Sequence, residues 1–248
     1  MKQVLITGAS SGIGLQLATD YANDGWDVYA CGQNQQRLQQ LVMSLAETTA
    51  GKITPLVFDV TNLEQTQQVL SQLETIPTLI ILNAGTCEYI DDGVIDSKLF
   101  KRVFEVNFFG IIHCLEAMQT GFSAATHLVF ISSSAAYTAL PRAEAYGASK
   151  AALSYLSNGL AIDLKNKVNT VTLVNPGFVT TPLTNKNDFP MPMIVSCEYA
   201  SLKIRQGIRN QQAEIHFPVK FTLLLKMIAF FPVSMQRAII YRMTRKAV

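Results

Sequence analysis

The sequence predicts an α/β domain built on a doubly wound parallel sheet, and three observations lead there. Apolar runs of strand length alternate with stretches of helical period, the pattern of βαβ units. Several of those runs, such as Val4-Leu5-Ile6, Leu79-Ile80-Ile81-Leu82 and Leu128-Val129-Phe130-Ile131, lack polar alternation, which is how strands covered on both faces read. A glycine-rich turn, Thr7-Gly8-Ala9-Ser10-Ser11-Gly12-Ile13-Gly14, joins the first run to the first helical stretch.

Taken in order, a strand near 3–7 leads through the glycine turn into a helix near 12–24. Only Met1 and Lys2 precede that strand, and the glycines interrupt any apolar leader, so a strand fits better than a secretory signal. A strand near 27–31 and a helix near 35–49 follow, then a strand near 53–58 and a helix near 63–74. The apolar run at 78–83 is the fourth strand, followed by one long helix near 98–120. A strand near 127–132 precedes a helix near 145–166; a strand near 168–174 runs into Pro176-Gly177. A helix near 196–210 and a strand near 214–217 complete the pattern. No repeat, low-complexity tract or linker precedes residue 218, so 1–217 reads as a single domain and 218–248 as a helical C-terminal extension.

Composition narrows the class. The 248 residues suit one well-buried domain, and 49% hydrophobic with 15% charged residues argues against disorder. A net charge of +2 is too small to suggest a nucleic-acid partner. The charge is unevenly spread: from Ile215 onward there are six Lys or Arg and no acid. Cys31, Cys87, Cys114 and Cys197 form no CxxC pair, which argues against a disulfide framework or a metal site and suits a reducing, cytoplasmic setting. No run of about 18 apolar residues suggests a membrane-spanning helix. His113, His127 and His216 lack ligand spacing and are expected on helix or strand surfaces.

Two constellations carry chemistry. Gly8, Gly12 and Gly14 let the backbone turn tightly and approach a ligand, while the amides of Ser10, Ser11 and Ile13 face it at a helix N-terminus suited to a pyrophosphate. In a dinucleotide fold the residue that reads the ribose lies roughly 20 positions on. Here that stretch is Ala30-Cys31-Gly32-Gln33-Asn34, without a carboxylate between Asp27 and Glu47, and Arg37 is its only cation. Ser10, Ser11 and Asn34 can donate to a 2′-phosphate, so NADP(H) is favoured over NAD(H). The second constellation is Tyr146-Gly147-Ala148-Ser149-Lys150, a phenol and an amine on one helical face. A free tyrosine titrates at about 10, and a nearby ammonium stabilises its phenolate. Ser133, thirteen residues earlier, stands where a hydroxyl can meet a reacting oxygen.

With Asn83-Ala84-Gly85 and Pro176-Gly177 in order between and after these motifs, residues 1–217 resemble the short-chain dehydrogenase/reductase family. The resemblance implies a Rossmann sheet and hydride transfer between a nicotinamide cofactor and a carbonyl or alcohol. It makes Tyr146 the acid/base, Ser133 the group that polarises the reacting oxygen, and Lys150 the residue that lowers the tyrosine pKa and holds the nicotinamide ribose. Asn107 matches the member that orders a water in the proton relay. Asp59, with Val60 beside it, matches the adenine contact; Asn83, Ala84 and Gly85 match the segment beside the adenosine ribose. Pro176, Gly177, Val179 and Thr181 match contacts to the carboxamide and phosphates. Two positions depart from the family pattern: Leu82 replaces a usual asparagine, and Gln33 stands where NADP-preferring members carry arginine. The alternative to an enzyme is a catalytically silent dinucleotide sensor.

The family motifs leave two segments over. The loop Phe189-Pro190-Met191-Pro192-Met193-Ile194 suggests an apolar cover and a lipophilic substrate. In the extension, Phe221, Leu224, Leu225, Ile228 and Phe231 share one helical face; Leu223, Met227 and Phe230 occupy another; Met235, Ile239 and Met243 follow after Pro232. Packing on its own or a partner subunit and peripheral membrane contact through 219–246 are both open readings. A homodimer or homotetramer is expected.

Overall fold

A computed structural model describes residues 2–45 and 49–245. Its strands are β1 (Gln3–Thr7), β2 (Asp27–Gly32), β3 (Ile53–Val57), β4 (Leu79–Leu82), β5 (His127–Ile131), β6 (Thr170–Pro176) and β7 (Glu214–Phe217). All pair in parallel, in the order β3-β2-β1-β4-β5-β6-β7. The helices are α1 (Gly12–Asn23), α2 (Gln35–Leu45), α3 (Leu63–Leu70), α4 (Ser97–Phe104), α5 (Gly110–Met118), α6 (Glu144–Asp163), α7 (Cys197–Arg209), α8 (Val219–Ala229) and α9 (Val233–Arg245).

Uninterrupted apolar strands arise because each face of the sheet has its own core. Val4 and Ile6, Ile81, Val129 and Ile131 enter one buried cluster with Leu17 and Tyr21 of α1, Leu38 of α2 and Ile204 of α7. The alternate residues Leu5, Ile80, Leu82, Leu128 and Phe130 enter a second, with Leu70 of α3, Ile111 and Met118 of α5 and Leu153 of α6. Period-two alternation is present in direction, and both directions are apolar.

Several boundaries depart from the sequence pattern. The single helix expected over 98–120 is α4, a π-helical turn at Glu105–Phe109, then α5 and a 3-10 turn at Gln119–Gly121. Within the π turn the Asn107 side chain reaches across to the Thr86 backbone, and Gly110 packs where an added Cβ would lie 2.7 Å from Val60 Cγ2. The helix expected over 63–74 stops at Leu70, where Gln72 and Leu73 tighten to bonds three residues back, on Val69 and Leu70. Residues 46–48 of the expected 35–49 helix lie outside the described residues. The strand expected over 168–174 is shifted to Thr170–Pro176: pairing to β5 ends at Val174, so Pro176, which has no N–H, pairs with β7 alone.

His127 is buried, contrary to the surface position expected for it. Thr172 Oγ donates to the Gln212 carbonyl at 2.7 Å, so it accepts from His127 Nε2 at 2.8 Å, and burial lowers the imidazole pKa to about 4. His113 meets the Val60 carbonyl and His216 meets Thr222. All four cysteines are free thiols, and burial raises the Cys114 pKa to about 12.

The extension packs on its own subunit with one face. Phe221, Leu225 and Ile228 of α8 and Ile240 of α9 form a cluster with Tyr137, Leu140 and Phe178. Leu224 and Phe231, which share the helical face of Phe221, are exposed, as are Met235 and Met243, and Ile240 with Ile239 beside it completes the cluster from α9. Lys226 on α8 pairs with Glu214 of β7 at 2.6 Å, and the same carboxylate accepts from Tyr137 at 2.6 Å and Asn175 at 2.9 Å. No helix among the described residues is long and apolar enough to cross a membrane.

Candidate active site

Strand order reverses between β1 and β4, and a cleft of about 670 Å³ opens there, at the C-terminal ends of the strands. Gly8, Ser10, Ser11, Gly12 and Ile13 border it. Gly8 and Gly12 adopt φ of 68° and 55°, a region that favours glycine. Gly14 stands behind the loop, where an added Cβ would lie 2.3 Å from the Gly8 carbonyl oxygen. Thr7 and Asn83 hold the loop against β4. Thr7 Oγ accepts from the amides of Asn83 (2.9 Å) and Ala84 (3.0 Å), and Asn83 Nδ2 donates to the carbonyls of Thr7 (2.9 Å) and Gly8 (3.4 Å). Asn83 therefore shapes the loop as well as lining the cleft with Ala84 and Gly85.

Gln33, Asn34 and Arg37 line the same cleft beside Ser10, and Asp59 and Val60 line it beyond β3. Asn34 Oδ1 accepts from the Arg37 amide at 3.0 Å, capping α2 and leaving the amide nitrogen of that side chain as its donor. Asp59 Oδ1 accepts from the amide and hydroxyl of Thr61, both at 2.9 Å, which fixes its carboxylate. Among the described residues lining the cleft, Asp59 is the only acid.

At the other end, Ser133, Tyr146 and Lys150 meet. Ser133 follows β5 and accepts from the Ala135 amide at 3.1 Å. Tyr146 enters on the first turn of α6, with Lys150 one turn on and its Nζ 5.9 Å from the phenol ring centroid. Lys150 is buried and donates to the Ile131 carbonyl at 2.9 Å; burial lowers its pKa to about 8. Burial raises the Tyr146 pKa above its ordinary value, the nearby Cys87 raises it further, and the hydrogen bond with Ser133 lowers it. Desolvation thus dominates, and the lowering of the Tyr146 pKa expected from Lys150 is not seen. Asn107 is fully buried and does not line the cleft. Its Oδ1 accepts from the Thr86 amide at 2.7 Å, and its Nδ2 donates to the Thr86 carbonyl at 2.9 Å and Ser149 Oγ at 3.0 Å. The side chain anchors the chain after Gly85 to α6, one residue from Lys150. A π turn is a frequent companion of such functional positions.

Pro176, Gly177, Val179 and Thr181 line the cleft from the side of β6. Gly177 also admits the extension, since an added Cβ would lie 2.9 Å from Phe221 Cδ1. Sequence reasoning missed Thr184, whose hydroxyl donates to the Val179 carbonyl at 2.6 Å while accepting from the Thr181 amide at 2.9 Å. The Thr181-x-x-Thr184 spacing is the signal that could have found it. Cys87 lies within electrostatic reach of both Tyr146 and Lys150. Glu88 is turned away onto Arg102 at 2.6 Å, and Glu144 is exposed in the first turn of α6.

The sequence signature of the short chain dehydrogenases matches residues 2–190. An uncharacterized oxidoreductase of Myxococcus xanthus is 31% identical over 236 residues, 93% of this chain and 93% of that protein. The 11-beta-hydroxysteroid dehydrogenase 1A of Arabidopsis thaliana is 31% identical over 195 residues, 76% of this chain and 55% of that protein. In three dimensions the fold is shared with a short-chain dehydrogenase from Sphingobium yanoikuyae in complex with NADPH. That comparison has a TM-score of 0.79 at 22% identity and covers 90% of this chain and 92% of the other. A short-chain dehydrogenase/reductase from Burkholderia phymatum in complex with NAD also has a TM-score of 0.79, at 21% identity, covering 91% of this chain and 92% of the other.

Proposed function

The chain belongs to the short chain dehydrogenase family of nicotinamide-dependent oxidoreductases, and we propose that it interconverts a lipophilic carbonyl compound and its alcohol using NADP(H). The observation that carries this reading is convergence: Ser133, Tyr146 and Lys150 border one end of the cleft whose other end is the glycine loop. A dinucleotide fits the residues present, because a Cβ at Gly14 would fill the space that lets the loop turn so tightly. Bound there, the cofactor supplies or accepts the hydride.

The protein's part is the proton. Ser133 meets the substrate oxygen, and Tyr146 gives its proton to that oxygen as negative charge develops. Burial keeps the phenol protonated at rest, while Lys150, with a pKa near 8, is mostly an ammonium at neutrality and steadies the phenolate that forms. The resting protonation state is the one that carbonyl reduction requires of its acid. Asn107 acts by holding Thr86 and Ser149 in place around this group, where a relay water would lie. All four positions are filled, which gives no support to a silent sensor. The case for NADP(H) is Arg37, Gln33 and Asn34 at the ribose end, with no carboxylate beside them among the described residues. Fluorescence titration should show tighter binding of NADPH than NADH, and steady-state assays should show turnover of apolar aldehydes or ketones. Tighter NADH binding would remove the role given to Gln33 and Arg37. Activity confined to small charged substrates such as sugar phosphates would remove the lipophilic assignment.

We further infer a cytoplasmic homodimer or homotetramer, supported by free thiols and by Tyr155 and Ile162, 84% and 76% exposed on one side of α6. Light scattering at a monomer's mass would refute the assembly. Packing and membrane contact use different faces of α8. With Phe221, Leu225 and Ile228 turned inward, Leu223, Met227 and Phe230 point outward, Phe230 at 91% exposure, beside a segment rich in cations and without acids. We propose that this face touches anionic membrane surfaces. Co-sedimentation with phosphatidylglycerol vesicles is expected at low salt and should fall severalfold in Met227→Ser/Phe230→Ser. Equal sedimentation of the two proteins would rule the contact out.

A further inference from the structure

Arg142 lies four residues before Tyr146, just ahead of α6, and adopts φ of 66°. A non-glycine residue persists in this left-handed region when its surroundings over-determine it, and such residues cluster at functional sites. The surroundings here are three separate chain segments. The Arg142 carbonyl accepts from the Ile90 amide at 3.0 Å. Its guanidinium donates to Asp91 Oδ1 at 2.9 Å and to both oxygens of Asp188, at 2.6 and 3.3 Å. The same group lies 5.7 Å from the ring centroid of Tyr89 and 5.9 Å from that of Phe189.

Those two rings meet edge to face, 5.3 Å between centroids, and Phe189 in turn packs on Phe178 at 6.2 Å. Phe178 adjoins the cleft-lining Gly177, and Tyr89 is close enough to Tyr146 for their charges to interact. An aromatic wall thus runs from the reactive phenol toward the extension, and its middle member is carried by the loop 181–194. The base of that loop is closed by Val195, whose amide donates to the Phe178 carbonyl at 3.0 Å and whose carbonyl accepts from Thr180 at 2.8 Å. At its far side the Arg142–Asp188 fork fastens it to the 89–91 segment. Exposed ion pairs are weak singly, but a two-pronged fork combined with two ring contacts is a directional joint.

We propose that Arg142 is a positioning and specificity-determining residue: it clasps the 181–194 loop onto the 89–91 segment and so sets the aromatic wall against which the apolar part of the substrate rests. The substrate part of this statement rests on the lipophilic reading above; the clasp does not.

Hydrogen exchange on the full-length protein tests the clasp without any substrate. In Arg142→Gln, amides between residues 186 and 194 should exchange at least about tenfold faster, with those of the central strands unchanged. Asp188→Asn should reproduce this if Arg142→Gln folds poorly, and Arg142→Lys should fall between. Salt at about 1 M should accelerate the segment in the native protein and not in Arg142→Gln. In the kinetic arm, KM for an apolar ketone should rise at least about fivefold with kcat and NADPH affinity held within about twofold. Unchanged exchange in both variants overturns the clasp. A loss of NADPH affinity equal to the rise in KM overturns the specificity role. Failure of the lipophilic reading would appear separately, as absent turnover of apolar ketones by the unmutated enzyme.

Discussion

Tyr146→Phe is expected to lower turnover by at least about 100-fold, the low end for general acid–base catalysis, while the protein stays folded. The substitution removes one hydroxyl from a half-buried ring whose packing is kept. Its hydrogen-bond partner Ser133 keeps the bond it accepts from the Ala135 amide, and the hydroxyl proton it gave to the phenol faces the cleft, where solvent can take it up. NADPH affinity should hold, because the glycine loop and the Arg37 end are untouched. The remaining groups are poor substitutes for the proton: Lys150 Nζ lies 5.9 Å from the phenol ring centroid, with one N–H on the Ile131 carbonyl, and burial holds the Cys87 thiol protonated with a raised pKa. The native enzyme should show the complementary pH signature. Lys150 has a lowered pKa near 8, so its ammonium is present below that value and is lost as pH rises through it. Carbonyl reduction should therefore be level below about pH 8 and decline with a one-proton slope above it. Steady-state rates, a thermal melt and an NADPH titration on the purified variant check the set. Turnover at the native level in folded Tyr146→Phe would end the mechanism.

Most of the frame was legible because its causes are local or strictly periodic. Gly8, Gly12 and Gly14 announce themselves by spacing, since a turn this tight tolerates no side chain at those points. Tyr146 and Lys150 are one helical turn apart, so the pattern itself puts them on one face. Strands such as Leu79–Leu82 read as doubly covered because both of their faces are apolar. With Gly14 and Asn107 set behind the wall, the other residues expected at the site line a single cleft.

What stayed hidden depends on partners distant in sequence. The π turn at Glu105–Phe109 keeps the same apolar residues as an unbroken helix, and only the reach of Asn107 to Thr86 and Ser149 marks it. His127 reads as a strand-surface residue until β5 and β6 are in register and Thr172 stands beside it. The left-handed backbone of Arg142 has no composition signal, because glycine, not arginine, announces positive φ. In the extension, periodicity placed apolar faces but could not choose between them. The choice was made by Gly177, whose missing side chain admits Phe221 and turns Leu223 and Met227 outward.

Gly14→Ala should cost both the fold and the cofactor. An added Cβ would lie 2.3 Å from the Gly8 oxygen, 2.8 Å from the Gly8 carbonyl carbon and 2.5 Å from Asn83 Nδ2. Two of these are backbone atoms, so rotating a side chain cannot relieve the contact. The loop must move away from α1, which breaks the bonds from Asn83 Nδ2 to the Thr7 and Gly8 carbonyls. Overpacking of this kind typically costs about 1–3 kcal/mol, and the lost hydrogen bonds add to it. The same movement misaligns the amides of Ser10, Ser11 and Ile13, so NADPH affinity should fall by at least about tenfold, or 1.4 kcal/mol. Gly32→Ala is the control for the fold, because its Cβ would meet Ser10 Oγ at 3.4 Å, within ordinary contact. Urea denaturation should place Gly14→Ala well below native stability and Gly32→Ala close to it. A Gly14→Ala protein with native stability and native NADPH affinity would mean that the cradle is looser than its geometry says, and that the pyrophosphate is held elsewhere.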